Sequence, residues 1–162
     1  MTRRTIGRVL VALAGVGVLT LAVAAPTATA APVATGEKAT HCTLDVRTGA
    51  QQCYATYEEA ITGKQRAGDI IQGTVFDGLD YGGDSLTVYG AELCEKDGVI
   101  NFQLDLGDDW KHRISSVQPW GNCWLWLYPE PGLGGDRDGP FDENTPNVGS
   151  FMDNRTQSIG FS

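Results

Sequence analysis

One phrase occurs twice in this chain of 162 residues. Phe76-Asp77-Gly78-Leu79-Asp80-Tyr81-Gly82-Gly83-Asp84 returns as Tyr128-Pro129-Glu130-Pro131-Gly132-Leu133-Gly134-Gly135-Asp136. Each copy has an aromatic, four spacers, an aromatic or apolar residue, then Gly-Gly-Asp. Each is followed by an arginine-containing stretch ending Ser-Val or Ser-Ile, Arg113 to Val117 and Arg155 to Ile159. Repetition of this kind marks two copies of one supersecondary unit. The opening aromatics lie 52 residues apart and the closing serines, Ser116 and Ser158, only 42, so the second copy is the shorter. The repeat constrains the fold first, and it carries no catalytic machinery.

The strand pattern agrees. From Ile70 onward short runs rich in β-formers alternate with Gly, Asn, Asp and Pro, as in all-β sandwiches and barrels. Strands are expected at Ile71–Phe76, Ser85–Tyr89, Val99–Leu104 and Ile114–Pro119. A second set is expected at Cys123–Tyr128, weakly at Arg137–Phe141, then at Val148–Met152 and Ser158–Phe161. Two similar sets of four describe two Greek keys packed face to face. Alternation along Trp124 to Tyr128 puts aromatics on one face and leucines on the other, so that strand sits inside something. Trp110 and Trp120, at loop edges, are the tryptophans expected to keep some exposure.

Residues 1–30 read as an export signal. Arg3, Arg4 and Arg8 precede an apolar run from Val9 to Ala25, and Ala28-Thr29-Ala30 is a small-x-small cleavage site. The run is too short for a lasting anchor, so no membrane role is expected after cleavage. Arg3-Arg4 is compatible with both Sec and twin-arginine export. Cleavage removes three arginines and no acid, leaving nine cations against twenty acids, a mature charge of −11. A chain this acidic repels phosphate backbones, which argues against nucleic-acid partners.

Residues 31–69 precede the repeat as a loose tail, a cysteine hairpin, a short helix and a linker. Four cysteines in an exported chain imply two disulfides. A turn at Val46–Gly49 sets Asp45 opposite Ala50 and, in step, Cys42 opposite Cys53; Cys94–Cys123 then follows by elimination. Thr56-Tyr57-Glu58-Glu59 is a capping-box pattern that opens a helix to about Ile61, closed by Gly63. Glu58 and Glu59 point in different directions on such a helix and read as a solvated face.

No enzyme is expected. The mature chain holds two histidines, His41 beside a disulfide cysteine and His112 between Lys111 and Arg113, and no nucleophile elbow, zinc helix or phosphate loop. The acid pairs Asp108-Asp109 and Asp142-Glu143 fall in loops. Asp105 and Asp109 would serve glycoside chemistry only if folding shielded one of two nearby carboxylates.

The repeat resembles the βγ-crystallin Greek-key motif, whose signature is aromatic-x-x-x-x-aromatic-x-Gly in the first hairpin and a late serine on the last strand. Phe76, Tyr81, Gly83 and Ser116 match it, as do Tyr128, Gly135 and Ser158, with Leu133 replacing the second aromatic. The resemblance covers Ile70 to Ser162, with motif one at 70–119 and motif two at 120–162. It implies an all-β sandwich of two tandem Greek keys, preceded by the disulfide hairpin and helix. Export signal, disulfides and cysteine preface look like secreted actinobacterial members, which include the Streptomyces metalloproteinase inhibitor and a killer-toxin-like protein.

Two functional expectations follow from that resemblance. One is a secreted, non-enzymatic inhibitor of an extracellular peptidase, with the proline-bearing loop Glu130–Pro140 as the candidate contact. The other is a calcium-binding or structural extracellular module. Microbial members often bind calcium through Asn/Asp-Asn/Asp-x-x-Ser/Thr-Ser. The first aligned hexad, Lys111 to Ser116, has Lys and His in the first two positions and is expected to be dead. The second, Asp153 to Ser158, keeps its opening pair but has Gln157 at the fifth position. The resemblance therefore implies one weak site or none, from Asp153, Asn154 and Gln157 with Asp77 of the opposite copy.

Overall fold

A computed structural model describes residues 39–63 and 69–162. The expected export signal, most of the expected tail and the linker at 64–68 lie outside the described residues. β1 (His41–Asp45) and β2 (Ala50–Tyr54) form the expected hairpin, with Cys42 opposite Cys53. The disulfides are Cys42–Cys53 and Cys94–Cys123, as the sequence implied. Arg47 in the turn donates to Asp45 and to Asp69, joining the hairpin tip to the start of the next strand.

The helix α1 (Tyr57–Thr62) starts where the capping pattern puts it. The Thr56 hydroxyl accepts the Glu59 N–H at 3.2 Å, and the Glu59 carboxylate reaches back to the Ala55 N–H at 3.2 Å.

The remaining strands are β3 (Ile70–Phe76), β4 (Ser85–Gly90), β5 (Phe102–Asp105), β6 (Ser116–Pro119), β7 (Leu125–Tyr128), β8 (Asp138–Phe141) and β9 (Ser158–Phe161). They form two sheets, in the orders β2-β1-β4-β3-β6 and β5-β9-β7-β8. β5 follows β4 in the chain yet pairs with β9 of the opposite sheet, so the first motif crosses over into the second. That crossing makes each motif a Greek key rather than a meander. Between the sheets lies one core, with Val75, Leu86, Val88 and Val117 from the first and Leu125, Leu127, Ile159 and Phe161 from the second.

The expected strand at Val148–Met152 is absent. Val148 and Met152 are buried, whereas Gly149, Ser150 and Phe151 between them are exposed. A spacing of four suits a turn, and the Met152 and Asp153 N–H groups both return to the Gly149 carbonyl. The crossing strand of the second motif shrinks to a single bridge, Thr145 with Val117. The shortening of the second copy lies just before that bridge, where residues 142–144 stand in place of the longer 91–101 connection between β4 and β5.

The segment before the repeat does two jobs. β1 lies parallel against β4 and carries the first sheet outward. α1 covers that sheet's outer face. There the Thr74 and Thr87 hydroxyls meet at 3.1 Å, the Tyr57 hydroxyl donates to the Gln118 side chain, and the Tyr89 hydroxyl donates to the Ala60 carbonyl. Burial raises the Tyr57 phenol above its ordinary pKa. Its ring stands edge-on to Phe76, which in turn meets Tyr81.

The tryptophans divide differently from expectation. Trp110 is buried at 3% exposure, its face covered by the Arg113 guanidinium, while Trp120 is 39% exposed. Along β7 the leucines face the core. Trp126 on the other face is shielded by Arg137, 3.8 Å from its ring, and donates its indole N–H to the Ser162 hydroxyl.

Candidate functional site

The repeated phrase folds into two equivalent turns. Leu79–Tyr81 and Pro131–Leu133 each make one 3₁₀ turn with left-handed residues at matching places, Asp80 and Tyr81 in one, Gly132 and Leu133 in the other. Gly83 and Gly135 follow with φ of +74° and +78°, a region that side chains resist. The Ser116 hydroxyl closes the first turn by accepting the Tyr81 N–H (3.1 Å) and donating to the Gly78 carbonyl (2.7 Å). Ser158 does the same with Leu133 N–H (3.0 Å) and the Glu130 carbonyl (2.6 Å).

The two hexads meet. Asn154 N–H donates to the Ile114 carbonyl, and His112 N–H to the Thr156 carbonyl. His112 and Asn154 hold the same hexad position, and both are left-handed, with φ of 59° and 56°. This reciprocal exchange reflects an approximate two-fold relation between the motifs. Asp153 reaches across it to accept the Ser115 hydroxyl at 2.5 Å.

Three of the four residues nominated for calcium have side-chain partners, Asp77, Asp153 and Gln157. Asp77 accepts the Asp84 N–H on one oxygen and an Arg113 N–H (2.6 Å) on the other. Arg113 also reaches Asp84 at 2.7 Å, so a guanidinium sits between the two carboxylates of the first motif. Gln157 donates its side-chain amide to the Pro129 carbonyl in its own motif, while the Asp153 carboxylate and the Asn154 backbone N–H bond to the first hexad. Among the described residues, no three His, Cys, Asp or Glu side chains converge where a metal could be held. As arranged, Asp77 is engaged by Arg113, which sets a cation where a calcium ion would compete for that carboxylate.

The electrostatics follow from these contacts. The Thr40 N–H donated to Asp84, with the Arg113 pair added, holds the Asp84 carboxyl below its usual range. Hydrogen bonds to Asp84 and Asp77 raise the Arg113 guanidinium. Sequence reasoning missed this clamp because Arg113 lies 36 and 29 residues from its partners.

The other candidates have structural roles or stand in solvent. His41 meets the Ser85 hydroxyl at 2.9 Å. Asp108 pairs with Lys111, and Asp142 and Glu143 are exposed. Asp105 and Asp109 are both exposed, without the shielding that glycoside chemistry needs. Asp105 accepts the Gly132 N–H at 2.7 Å and so anchors the second repeated turn to the first motif. The Glu130–Pro140 loop is not a free connector, because it holds that turn and its last residues belong to β8.

No protein-family model matches the chain, and no curated protein matches it. Solved structures do. One is a βγ-crystallin domain from Clostridium beijerinckii, at 15% identity over 56% of this chain and 95% of that one, with a TM-score of 0.43. Another is a βγ-crystallin domain from Flavobacterium johnsoniae, at 17% identity over 56% and 92%, with a TM-score of 0.42. The N-terminal domain of protein S is similar at 20% identity over 56% and 94%, with a TM-score of 0.43.

Proposed function

We propose that this chain is a secreted, non-enzymatic binding protein of βγ-crystallin type that inhibits an extracellular peptidase. The supporting observation is a scaffold stiffened for presentation rather than reaction. Two disulfides brace the hairpin and the loops at the end of the core, and every turn of the repeat is hydrogen-bonded shut. Inhibitors of this kind draw affinity from loops held in their bound shape before the encounter. The two disulfides suit an oxidising, extracellular compartment. No helix among the described residues is long and apolar enough to cross a membrane.

The test is titration of residues 31–162 against a thermolysin-type zinc peptidase and a subtilisin-type serine peptidase. Stoichiometric loss of activity in the zinc enzyme alone supports the reading. No inhibition of either would remove it and leave a structural extracellular module. Replacing exposed Glu130 and Pro131 by Ala tests the loop without cutting β8, because their backbone bonds survive. Unchanged inhibition would exclude that loop as the contact.

The second reading, a calcium-binding or structural module, is favoured by one feature: the hexads meet at the junction between the motifs. Arg113 already supplies a cation to the first motif, so calcium uptake at Asp153, Asn154 and Gln157 is weak or nil. Two tight sites by calorimetry would refute this. A killer-toxin-like activity rests on no feature of the fold described above.

A further inference from the structure

The large apolar side chains left in solvent are not scattered evenly. Three of the five among the described residues, Leu93 (59% exposed), Val99 (64%) and Trp120 (39%), belong to the loops tied by the Cys94–Cys123 disulfide. Leu93 and Trp120 each stand one residue before the hydrogen bond from Cys94 N–H to the Gly121 carbonyl, which joins their strands of loop at 3.0 Å. The Asn122 side chain donates to the Cys94 carbonyl at 2.9 Å. Further along, the Asn101 side chain accepts the Glu95 N–H and Asp97 accepts the Val99 N–H. The tip is therefore both apolar and held in shape.

Trp110 and Trp126 are buried, whereas Trp120 stays in solvent. Exposed apolar groups grouped on a rigid rim mark interaction surfaces, and tryptophan is prominent among the residues that carry binding energy.

Charge identifies the occupant. Glu92, Glu95 and Asp97 alternate along the loop with Leu93 and Val99, all three exposed and none in an ion pair among the described residues. The neighbouring cation, Lys96, lies 5.9 Å from the Trp124 ring centre. The whole chain carries −8 and adds its own attraction for cations. A surface of anionic lipid would be repelled, whereas a basic protein would be steered in.

We propose that the Leu93–Val99–Trp120 tip is the docking surface for a cationic protein, one that offers an apolar pocket or side chain bordered by lysine or arginine. This rests on reading the domain as a binding module, and it holds whether or not the partner is a peptidase.

The test uses residues 31–162 immobilised and panned with a library of random peptides. Peptides combining aromatic or aliphatic residues with Lys or Arg are expected to enrich. Synthetic copies should bind at least tenfold more weakly to Leu93→Ser and Trp120→Ser, and equally well to Phe151→Ser, an exposed aromatic far along the chain. Reversing the rim with Glu92→Lys and Glu95→Lys, which changes exposed carboxylates and no described ion pair, should shift selection toward acidic peptides. Thermal unfolding of each variant confirms that it is folded. No enrichment, or enriched peptides indifferent to both the tip and the rim changes, would overturn the proposal. So would binding to phosphatidylcholine vesicles that Trp120→Ser abolishes, because the tip would then be a membrane contact. Failure of peptidase titration alongside tip-dependent peptide binding would sink the inhibitor reading and leave this one standing.

Discussion

Ser116 and Ser158 each close a hairpin formed tens of residues earlier in the chain. Each hydroxyl accepts one backbone N–H and donates to one carbonyl, partners that would otherwise face a crowded turn without satisfaction. Ser116→Ala is therefore expected to cost about 1–3 kcal/mol, and Ser158→Ala a similar amount, by urea denaturation. A loss below a few tenths in both would mean that water replaces the hydroxyls freely. The Asp84 clamp gives a second prediction at this scale. Its carboxyl is depressed in the fold, so its contribution is present above the ordinary carboxylate pKa of about 3.9 and is lost as pH falls through the lower folded value. Stability should drop on acidification below about pH 4. Asp84→Asn should flatten that acid limb, and Arg113→Gln should flatten it less, since the Thr40 N–H is the larger cause. An unchanged acid limb in Asp84→Asn would show that other carboxylates dominate. The serines were legible in the sequence because the repeat printed them twice. Arg113 was not, because nothing in its neighbourhood names Asp77 or Asp84.

The elements divide the same way. β3, β4, β7 and β9 lie within two residues of their expected limits, since alternation between two buried faces and flanking Gly or Asp marks them locally. Val148–Met152 misled because two buried apolar residues four apart satisfy a turn as well as an irregular strand. The register of the hairpin was readable from its turn and its cysteines; its parallel seat on β4 was not. That seat leads to a prediction. β2 pairs only with β1 and is largely exposed, so its hold on the sheet depends on the hairpin and on Cys42–Cys53. Cys42→Ser with Cys53→Ser should lower stability by about 2–4 kcal/mol. It should also strip hydrogen-exchange protection from Ala50–Tyr54 well before β3, β7 and β9 are affected. Uniform loss across all strands would show the hairpin to be part of the folding unit itself.

For the molecule as a whole, the decisive fact is that neither motif is complete alone. β5 of the first motif pairs with β9 of the second, Asp105 anchors the second repeated turn, and Asp80 N–H returns to the Pro146 carbonyl. The hexads exchange hydrogen bonds across the same junction. Residues 70–119 and 120–162 made as separate fragments should each lack cooperative unfolding and fixed near-ultraviolet signals. Mixing them should restore both. A fragment that unfolds cooperatively by itself would show that the shared core is dispensable.

What the sequence alone determined is whatever neighbouring residues can impose on one another: the repeated left-handed turns, the capped helix, the places of most strands, the cysteine pairing and the net acidity. The tertiary structure decided everything that depends on residues far apart in the chain. It sent β5 across to the other sheet, reduced the second motif's crossing strand to a bridge, buried Trp110 while leaving Trp120 in water, and set Arg113 between two distant carboxylates. The physical reason is that backbone conformation is a local preference, while burial and charge pairing are settled only when the sheets close over a common core.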